Sequence, residues 1–534
     1  MVIHVQSDVL IIGTGGAGLR AAIEVHERGA KVVVVSKAPA GFNNCTIVAG
    51  SGYLAAVGGM SVEEHLERTL STGKGLNDPA LVEVLVSEGE RILELEKFGC
   101  VVNVHKGGIH VGGPETKLGQ GITLPMVQYI RGLGVEFVEN VIITKLLKKD
   151  DAVVGAVGYS SRDEEPVIFR SKAVLLASGG AGGLFKRTDC PLRTTGDGYS
   201  LAFHAGARLR DMEFCQFFPL ALAEPDSPPL LVDGKVVWEG KIINANGEDI
   251  PAKHKVTERP YIAKSRDLLS RAMMREVHDG LGVEGAVLLD AREVVQNGKS
   301  GDQYGMGDYD YYIKKLRAHE RPFRIAPLSH FTMGGVVGNT YGETGVPGLF
   351  VAGEVMGGVH GANRHGGNAL TDITVFGVRA AARAVEYASS RSLVDVDTFA
   401  QEEIDRYEKL ASRETGFTPP TLMDLVRENM WDNVGVIRDS YMLVDAYQRL
   451  SGLRDSTRSM LAKPGKQLLN ALELIMALDV CEFIIRAAME RRESRGAHFR
   501  LDHPNEDPAW RKTIILSKKN EAVEISYAPI GEAF

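Results

Sequence analysis

Cysteine is scarce in this 534-residue sequence. The five cysteines, at positions 45, 100, 190, 215 and 481, are scattered, and no two of them stand in C-x-x-C spacing. An iron–sulfur cluster needs about four thiolates gathered in one place, and a structural zinc site needs a comparable set of ligands. We therefore expect no iron–sulfur cluster and no metal site within this chain.

Long apolar runs and basic runs are also missing. No stretch approaches the ~20 apolar residues of a membrane-spanning helix, and no secretory signal precedes the first apolar run at residues 8–12. The net charge is −8, without a basic block, so nucleic acid is not an expected partner. The sequence predicts a cytoplasmic protein without direct membrane insertion.

Glycine, in contrast, is abundant, with 60 residues. Gly13-Thr-Gly-Gly-Ala-Gly18 lies between an apolar run at 8–12 and a helical segment at 19–28, and a β-branched strand follows at 31–36. In such a unit Gly13 permits the tight turn, Gly15 lets the backbone approach a pyrophosphate, and Gly18 packs helix against strand. The helix N-terminus then offers N–H groups to phosphates. A glycine-rich turn without a ligand is the alternative, which the strand–turn–helix context disfavours.

The end of the second strand distinguishes between dinucleotides. NAD-binding units usually place an acid about 20 residues after the glycines to hold the ribose. Here Ser36 and Lys37 stand at that point, which favours the adenosine of FAD. Lys37 could instead meet the 2′-phosphate of NADP.

Beyond this unit the apolar pattern divides the chain. Strands are predicted at 152–159, 173–177 and 348–353, and a helix around 374–388. Residues 220–328 interrupt the pattern with two adjacent prolines, mixed charges and a tyrosine cluster at 309–312. From about 396 the chain turns helical: a capping-box spacing at 421–424 opens one helix, a second spans 468–491, and a hairpin is predicted at 512–527.

The predicted fold class is α/β. A Rossmann-type FAD-binding domain (1–220 and 329–390) receives an inserted α+β capping domain (221–328). A C-terminal helical domain (391–511) and a terminal hairpin or tail (512–534) follow. The length of the chain allows such a division into two or three domains.

Two further motifs carry a family resemblance. They are His330-Phe-Thr-Met-Gly-Gly335 and, at 348–372, GLFVAGEVMGGVHGANRHGGNALTD. With the glycine turn, they make the chain resemble the flavoprotein family of succinate dehydrogenase, fumarate reductase and L-aspartate oxidase, from about residue 8 to about residue 515. The resemblance implies FAD and a reaction that interconverts a saturated acid and its α,β-unsaturated form by hydride transfer at flavin N5.

The resemblance also implies cofactor contacts. It adds Asp197, Asp211, Glu354 and the run Asn368-Ala369-Leu370 to the residues of the glycine turn and the second strand. The predicted cofactor residues are Gly13, Gly15, Gly16, Ala17, Gly18, Ser36, Lys37, Asn44, Thr46, Asp197, Asp211, Glu354, Asn368, Ala369 and Leu370. Relatives with covalent FAD carry Ser-His-Thr where this chain has Asn44-Cys45-Thr46, so non-covalent FAD is predicted.

Three residues match the family's substrate site. His330 resembles a carboxylate ligand, Arg364 the arginine that clamps a carboxylate with its planar fork, and Arg266 the cap arginine that donates or accepts the proton. The alternatives are a core histidine and interdomain salt-bridge arginines.

Two departures bear on the substrate. In Gln216-Phe-Phe-Pro-Leu220, Phe218 stands where the family has a second carboxylate-binding histidine. In residues 233–240, Gly234 and Val237 replace the glutamate and arginine of the family's proton relay. We expect a substrate with one acid or thioester group and a less polar remainder. Alternatively, His360, His365 or Lys264 replaces the lost contacts and the substrate is fumarate or succinate.

Several functions remain open. The leading one is a catalytic flavoprotein subunit, supplied with electrons by an iron–sulfur partner that lies near the helices after about 420 and could place it beside a membrane. The alternatives are a true fumarate reductase or succinate dehydrogenase flavoprotein, an L-aspartate oxidase, an adenylylsulfate reductase-like flavoprotein and a non-catalytic electron-transfer flavoprotein.

Overall fold

The computed structural model describes residues 2–105, 108–113, 115–232, 234–259, 261, 265–296, 311–520 and 522–534, without the side chains of 234 and 235. Lys264, position 233 of the relay segment and positions 309 and 310 of the predicted tyrosine cluster lie outside the described residues.

Strands and α-helices alternate through the first half of the described chain, and helices dominate after residue 368. The strands are β1 (Ile3–Ile12), β2 (Val32–Ser36), β3 (Gly52–Tyr53), β4 (Val102–His105), β5 (Gly108–Val111), β6 (Glu136–Glu139), β7 (Val141–Lys149), β8 (Ala152–Ser160), β9 (Glu165–Leu176), β10 (Leu209–Arg210), β11 (Cys215–Leu222), β12 (Lys241–Ile243), β13 (Val287–Asp290), β14 (Phe323–Thr332), β15 (Gly335–Val336), β16 (Leu349–Val351), β17 (Thr513–Lys519) and β18 (Ala522–Ala528). The α-helices are α1 (Gly16–Glu27), α2 (Cys45–Val48), α3 (Val62–Thr72), α4 (Pro79–Ser87), α5 (Gln120–Gly132), α6 (Asp197–Ala205), α7 (Gly234–Glu239), α8 (Ile250–Lys253), α9 (Arg266–His278), α10 (Arg292–Gln296), α11 (Asn368–Ser389), α12 (Asp397–Ala411), α13 (Pro419–Val434), α14 (Ser440–Ser456) and α15 (Lys466–Glu490).

The largest sheet has the order β6-β2-β1-β9-β8-β7, and β16 also pairs with β9. β1 runs parallel to β2 and to β9, with Val9 opposite both Val32 and Ala173. The four valines of β2 are buried, as expected for a parallel strand covered on both faces. The α/β fold class and the strand–turn–helix–strand unit at the start of the chain are therefore confirmed.

The C-terminal helices pack into the same hydrophobic cluster as this sheet. One of them, α13, begins differently from the sequence prediction. Its cap is Thr418, whose hydroxyl accepts a hydrogen bond from the Thr421 N–H. Pro419 and Pro420 occupy the first turn, where a missing N–H costs nothing. The capping box predicted at 421–424 was therefore placed one turn too late.

The inserted segment has its own sheet and its own hydrophobic cluster. The sheet has the order β11-β14-β13-β12 and is antiparallel throughout, and the cluster contains residues between 218 and 328. We call this segment the cap. β11 and β14, which pair with each other, join the cap to the large sheet domain. The domain limits given above remain a prediction.

The chain ends in a hairpin that was predicted from the sequence. β17 and β18 pair antiparallel from Thr513↔Ala528 to Lys519↔Ala522. β17 also pairs with β10, which anchors the hairpin to the rest of the chain. None of the helices in the described ranges is long and apolar enough to cross a membrane.

Candidate active site

A large cavity opens at the C-terminal ends of β1 and β2, and about 930 Å³ of space lies inside it and its mouth. Ten of the predicted cofactor residues line it: Gly13, Gly15, Gly16, Ala17, Ser36, Lys37, Asn44, Thr46, Asp197 and Glu354.

The glycine turn shapes the floor of this cavity. Gly13 has φ +120°, and a Cβ atom there would lie 2.2 Å from the Ala177 carbonyl oxygen. A Cβ atom on Gly18 would lie 2.0 Å from the Gly13 oxygen, so Gly18 serves the close packing of α1 on β1. No side chain caps α1 at Gly15, so the helix N-terminus faces the cavity and presents its dipole to an anionic group.

Two buried polar atoms test whether the cavity suits a polar cofactor. Ser178 Oγ and Arg193 Nη2 are buried without a hydrogen-bond partner, and both residues line the cavity. Buried polar groups are nearly always paired, so these two atoms point to a polar ligand. A dinucleotide with phosphates and hydroxyl groups fits them.

The positive charge of Lys37 is balanced by two carboxylates of the protein. Its Nζ lies 2.7 Å from Asp197 Oδ2 and 2.7 Å from Glu473 Oε1, and Thr195 donates to Asp197 Oδ1 at 2.6 Å. A cation held by two carboxylates is poorly placed to bind another phosphate. This arrangement disfavours the NADP alternative and gives Lys37 and Asp197 the role of shaping the cavity wall.

The segment at the covalent-attachment position of the family forms the short helix α2. Asn44 caps it by accepting from the Ile47 N–H at 3.0 Å, and Thr46 Oγ1 accepts from the Gly16 N–H at 3.0 Å. Cys45 lines the cavity between them, and its thiol contacts that of Cys190. Asn44 and Thr46 therefore fix the glycine turn, while Cys45 supplies no imidazole for a tether.

Five predicted cofactor residues do not line the cavity. One of them, Gly18, packs α1 on β1, as described above. Another, Asp211, is buried elsewhere: it accepts from the Ile514 N–H at 3.0 Å and pairs with Arg491 at 3.3 Å and Arg210 at 3.2 Å. The remaining three, Asn368, Ala369 and Leu370, form the first turn of α11.

The amide group of Asn368 is occupied by residues of α3. Its oxygen lies 2.9 Å from His65 Nε2, and its nitrogen donates to Thr69 Oγ1 at 2.9 Å. The Asn368 side chain is therefore not available to a cofactor, whereas the backbone of this turn is.

A second site lies where the cap meets the large domain. Arg266 at the start of α9, His330 near the end of β14 and Arg364 from the glycine-rich loop converge there. The pairing of β11 with β14 shifts register between Gln216↔Phe331 and Phe217↔Ser329, so His330 is the extra residue of a bulge. A bulge re-aims its side chain, and here it directs the imidazole to the interface.

Gln216 links the two arginines. Its Oε1 accepts from Arg266 Nη1 at 2.9 Å and from Arg364 Nε and Nη2 at 3.2 and 3.0 Å. Its Nε2 donates to Asn363 Oδ1 at 2.6 Å and to the Arg364 carbonyl oxygen at 2.9 Å. The neutral Oε1 of Gln216 thus accepts from both guanidinium groups. A carboxylate oxygen at the same point would bind them more strongly, because it is charged.

Asp189 orients His330. Its Oδ2 lies 2.7 Å from His330 Nδ1. Burial lowers the pKa of His330, as do the charges of Arg364 and Arg266, while Asp189 opposes this shift. When Nδ1–H of the neutral imidazole donates a hydrogen bond to Asp189, Nε2 is an acceptor and carries a proton only in the imidazolium form.

The two arginines are unusually acidic for guanidinium groups. Burial, then the charge of Arg364, lowers the pKa of Arg266 to about 9. Burial lowers the pKa of Arg364 to about 10, against the charges of Glu354 and Asp189. Two cations enclosed side by side favour an anionic ligand between them.

Glu354 connects the second site to the cavity. It lines the cavity, and its Oε1 accepts from the Thr332 N–H at 2.9 Å, two residues after His330. Burial raises the pKa of Glu354 to about 7, and the Thr332 N–H, Arg364 and the Gly180 N–H oppose that shift. A ligand in the cavity and a second ligand between the two arginines would therefore lie on either side of the segment that contains His330 and Thr332.

The aromatic surface of the second site comes from Phe218 and Phe331. The Arg266 guanidinium lies 5.1 Å from the Phe218 ring centre, and that ring lies 5.5 Å from the His330 ring. Arg364 lies 4.8 Å from the Phe331 ring centre. Cation–π contacts of this kind hold the guanidinium groups in place.

Of the expected substitutes for the missing histidine, His360 and His365 each have one ring nitrogen in a contact, while His360 Nδ1 is buried without a hydrogen-bond partner. His360 Nε2 lies 3.1 Å from Asp372 Oδ2, with both side chains buried. His365 Nδ1 lies 2.9 Å from the Gly366 oxygen. In the relay segment, Val237 is buried in the cap's hydrophobic cluster and Glu239 is exposed.

Comparison with known proteins identifies the family. Residues 8–370 match the FAD binding domain family, and residues 424–533 match the fumarate reductase flavoprotein C-terminal family. The chain belongs to the fumarate reductase and succinate dehydrogenase flavoprotein family. It is an FAD-dependent oxidoreductase.

Relatives of this family match nearly the whole chain. A fumarate reductase (CoM/CoB) subunit of Methanothermobacter marburgensis is 36% identical over 97% of this chain and 98% of its own length. L-aspartate oxidase of Streptomyces coelicolor is 31% identical over 96% of this chain and 91% of its own. Sdh1 of Mycobacterium smegmatis, solved with UQ1, has 30% identity and a TM-score of 0.86 over 99% of this chain and 95% of its own.

Sequence reasoning did not single out several residues of this flavoprotein's two sites. Asp189, Glu473, Ser178 and Arg193 carried no signal, because each lies outside the motifs and meets its partners only through the fold. Gln216 was visible, since it opens the segment that contains Phe218. A polar side chain with both donor and acceptor at the start of an otherwise apolar strand was the signal that could have found it.

Proposed function

We propose that this flavoprotein interconverts a saturated acid, or its acyl derivative, and the corresponding α,β-unsaturated compound. One observation carries the proposal: Arg266 and Arg364, from the cap and from the large domain, both donate to the single oxygen of Gln216 at 2.9–3.2 Å. This geometry supports recognition of an anionic oxygen beside a group that can move a proton.

Each residue of the site has a task in this reaction. Bound FAD supplies the two-electron redox chemistry. Arg364 clamps the carboxylate or carbonyl oxygen of the substrate and stabilises the negative charge that develops next to it. His330 contributes a second donor through Nε2 once the imidazole is protonated, and Asp189 stabilises that imidazolium. The cap excludes water from the site.

Arg266 moves the proton. In the direction of reduction it gives a proton to the carbon next to the carboxylate, and in the direction of oxidation it removes one. An arginine can serve as an acid only toward a strongly basic carbon, in an enclosed site that lowers its pKa. The burial and the neighbouring Arg364 charge supply that condition.

We propose further that fumarate and succinate are not the best substrates. Phe218 presents an aromatic ring where a second donor would be needed for a second carboxylate, and one ring nitrogen of His360 and one of His365 are already engaged. A substrate with one acid or thioester group and an apolar remainder fits this surface better.

A second candidate is a true fumarate reductase, favoured by the 36% identical relative that bears that name. L-aspartate oxidase is favoured by the 31% identical relative, but its substrate is also a dicarboxylate. An adenylylsulfate reductase-like role draws on likeness of fold alone. A non-catalytic electron-transfer role is disfavoured because Arg266, His330 and Arg364 converge.

In the experiment, the chemically reduced holoenzyme is reoxidised by candidate substrates without oxygen. The rate of reoxidation is measured from the flavin absorbance. The panel contains fumarate, monocarboxylic 2-enoates and 2-enoyl thioesters. We expect reoxidation by an enoate, and a loss of about 100-fold or more in Arg266→Ala, the typical effect of removing a proton-transfer group. Arg275→Ala, on the same helix but ion-paired with Asp279 at 3.0 Å, is the control. Equal rates in Arg266→Ala and wild type would refute the assignment.

We also propose an iron–sulfur partner. Within the described ranges, no group of three or more His, Cys, Asp or Glu residues is arranged to hold a metal ion, and the relative from Methanothermobacter marburgensis is named as one subunit of its enzyme. Mild purification from the native source should yield a complex with iron and acid-labile sulfide. Rapid turnover of the isolated chain with oxygen would instead support the oxidase alternative.

A further inference from the structure

The pairing of β11 with β14 is interrupted at one point, directly after Phe218. We call these two paired strands the ribbon. The register shifts between Phe218 and Ala221, where two residues of β11 lie opposite one residue of β14. Pro219 of β11 and Pro327 of β14 stand in this gap, and a proline has no N–H to donate to a neighbouring strand. The ribbon therefore loses backbone hydrogen bonds close to where it leaves the large domain.

Arg187, in the segment before α6, reaches both strands at this gap. Its Nε donates to the Pro327 carbonyl oxygen at 3.2 Å, and its Nη2 donates to the Leu222 carbonyl oxygen at 2.8 Å. One guanidinium group thus joins β14 to β11. Burial lowers the pKa of Arg187, so part of its hydration is given up for these contacts. A charged donor forms stronger hydrogen bonds than a neutral one.

The backbone around Arg187 has a fixed position. The Ser329 N–H donates to the Arg187 carbonyl oxygen at 2.8 Å, and Thr188 Oγ1 donates to the Ser329 carbonyl oxygen at 2.9 Å. From the C-terminal helix α13, Arg427 Nε donates to the Gly183 carbonyl oxygen at 3.0 Å. The segment that carries Arg187 is therefore bonded to β14 and to α13, and its guanidinium extends from a defined point of the fold.

The cap arginine depends on the position of the ribbon. Arg266 begins α9, and Ser270 of the same helix donates through Oγ to the Phe217 carbonyl oxygen of β11 at 3.3 Å. A shift of the ribbon against the large domain would therefore move Arg266 relative to Arg364. A misplacement of about 1 Å can slow a reaction about 100-fold.

We propose that Arg187 is a positioning residue: by joining β11 and β14 at the gap, it sets the cap, and with it Arg266, over the substrate. The inference rests on the proposed function, in which Arg266 moves the proton. Arg187 acts through the ribbon and takes no part in the proton transfer itself.

Backbone hydrogen exchange of the holoenzyme tests the link without any substrate. In Arg187→Ala, amides of β11 and β14 should exchange about 10-fold faster or more, the factor expected for the loss of one charged hydrogen bond. Amides of β1 and β2 should keep their rates. Arg187→Lys should lie between Arg187→Ala and wild type, because an ammonium keeps the charge but lacks the fork that spans two oxygens.

Lys186→Ala is the matched control. Lys186 is the neighbouring residue, its side chain is 56% exposed, and it pairs with Glu428 at 3.1 Å. An exposed ion pair of this kind contributes little to stability. We expect wild-type exchange rates in the ribbon of this variant.

Reoxidation of the reduced holoenzyme by the best enoate of the panel tests the effect on the reaction. Its dependence on enoate concentration gives a limiting rate and an apparent Kd. In Arg187→Ala the limiting rate should fall about 10- to 100-fold, while the apparent Kd stays within about threefold of wild type, because Arg364 still binds the acid group. Arg187→Lys should restore part of the rate, and Lys186→Ala should leave both values unchanged.

The other outcomes overturn the positioning role. Unchanged exchange in the ribbon of Arg187→Ala, or an equal rise in Lys186→Ala, would show that Arg187 does not join the strands. Faster exchange with an unchanged limiting rate would show that the contact supports only the fold, as would an equal rise in β1 and β2. Should Arg187→Ala fail to bind FAD, Arg187→Lys against Lys186→Ala decides by the same criteria.

Failure of the positioning role and failure of the proposed function give different results. In the first case wild type is still reoxidised by an enoate, and only the expected effects of the Arg187 variants are missing. A wild type that no enoate reoxidises overturns the proposed function itself, and the positioning role with it.

Discussion

The substitution Phe218→His tests the proposed substrate class most directly. Phe218 is buried, stacks on Arg266 at 5.1 Å and packs against His330 at 5.5 Å. An imidazole in its place would offer a donor to the second carboxylate of fumarate. The cost is the cation–π contact with Arg266, about 0.5–2 kcal/mol.

The expected gain can be estimated from the contact that would form. A hydrogen bond to a charged group contributes about 1.5–3 kcal/mol, and about 1.4 kcal/mol corresponds to a factor of ten. Subtracting the cation–π cost of about 0.5–2 kcal/mol leaves a mid-range gain of about 1 kcal/mol, so kcat/KM for fumarate should rise about fivefold, and up to about 60-fold at the favourable limit, while that for the best monoacid enoate falls. The assay is steady-state reduction with both substrates, accompanied by flavin content and Tm to confirm folding.

Phe218→Leu is the matched control, because it removes the ring without adding a donor. It should weaken both substrates and improve neither. If wild type already reduces fumarate rapidly with a low KM, and Phe218→His changes nothing, the reasoning is refuted and the site accommodates dicarboxylates by other contacts.

Three further predictions follow from the same geometry. Arg364→Lys should lower kcat/KM for every acidic substrate about 10- to 100-fold, since an ammonium cannot reproduce the two contacts to Gln216 Oε1 at 3.2 and 3.0 Å or the planar fork; an unchanged value for any acid would contradict the clamp. Acid precipitation should release the yellow flavin into the supernatant, because Cys45 replaces the tethering histidine, and flavin in the washed pellet would show a covalent bond. Arg266 must start protonated in the reducing direction, so kcat/KM should fall as pH rises through about 9, the pKa of Arg266, separately from any change at lower pH that reports protonation of His330; a profile that is flat from pH ~8 to ~10.5, with stability checked separately, would exclude the role of Arg266 as the acid.

Local features of the sequence predicted the strand–turn–helix–strand unit at the start of the chain. The glycine turn, β1, α1 and β2 are contiguous, so spacing and apolar pattern determine them together. The same holds for the terminal hairpin, where two alternating strands are separated by a short turn. Interactions between distant parts of the chain were not visible in this way.

The unpredicted contacts share that cause. Asp211 was predicted as a cofactor residue from the family resemblance, and its partner Arg491 lies 280 positions later. Gln216 meets Arg364 148 positions later, and Asp189 meets His330 141 positions later. The bulge that aims His330 depends on the register of β11 against β14, which neither strand specifies alone.

The ribbon of β11 and β14 has a consequence for how this architecture diversifies. The two strands leave the large domain side by side, with Leu222 opposite Ile325, so the chain between them can be lengthened, shortened or exchanged at the cost of closing one loop. Gln216 and His330 lie at the root of the ribbon and stay with the large domain, as does Arg364, whereas Arg266 leaves with the cap. If the proposed roles hold, recognition of the acid and delivery of the proton are inherited separately, and a descendant that replaces its cap can acquire new reaction chemistry while it keeps the contact with its substrate's acidic group.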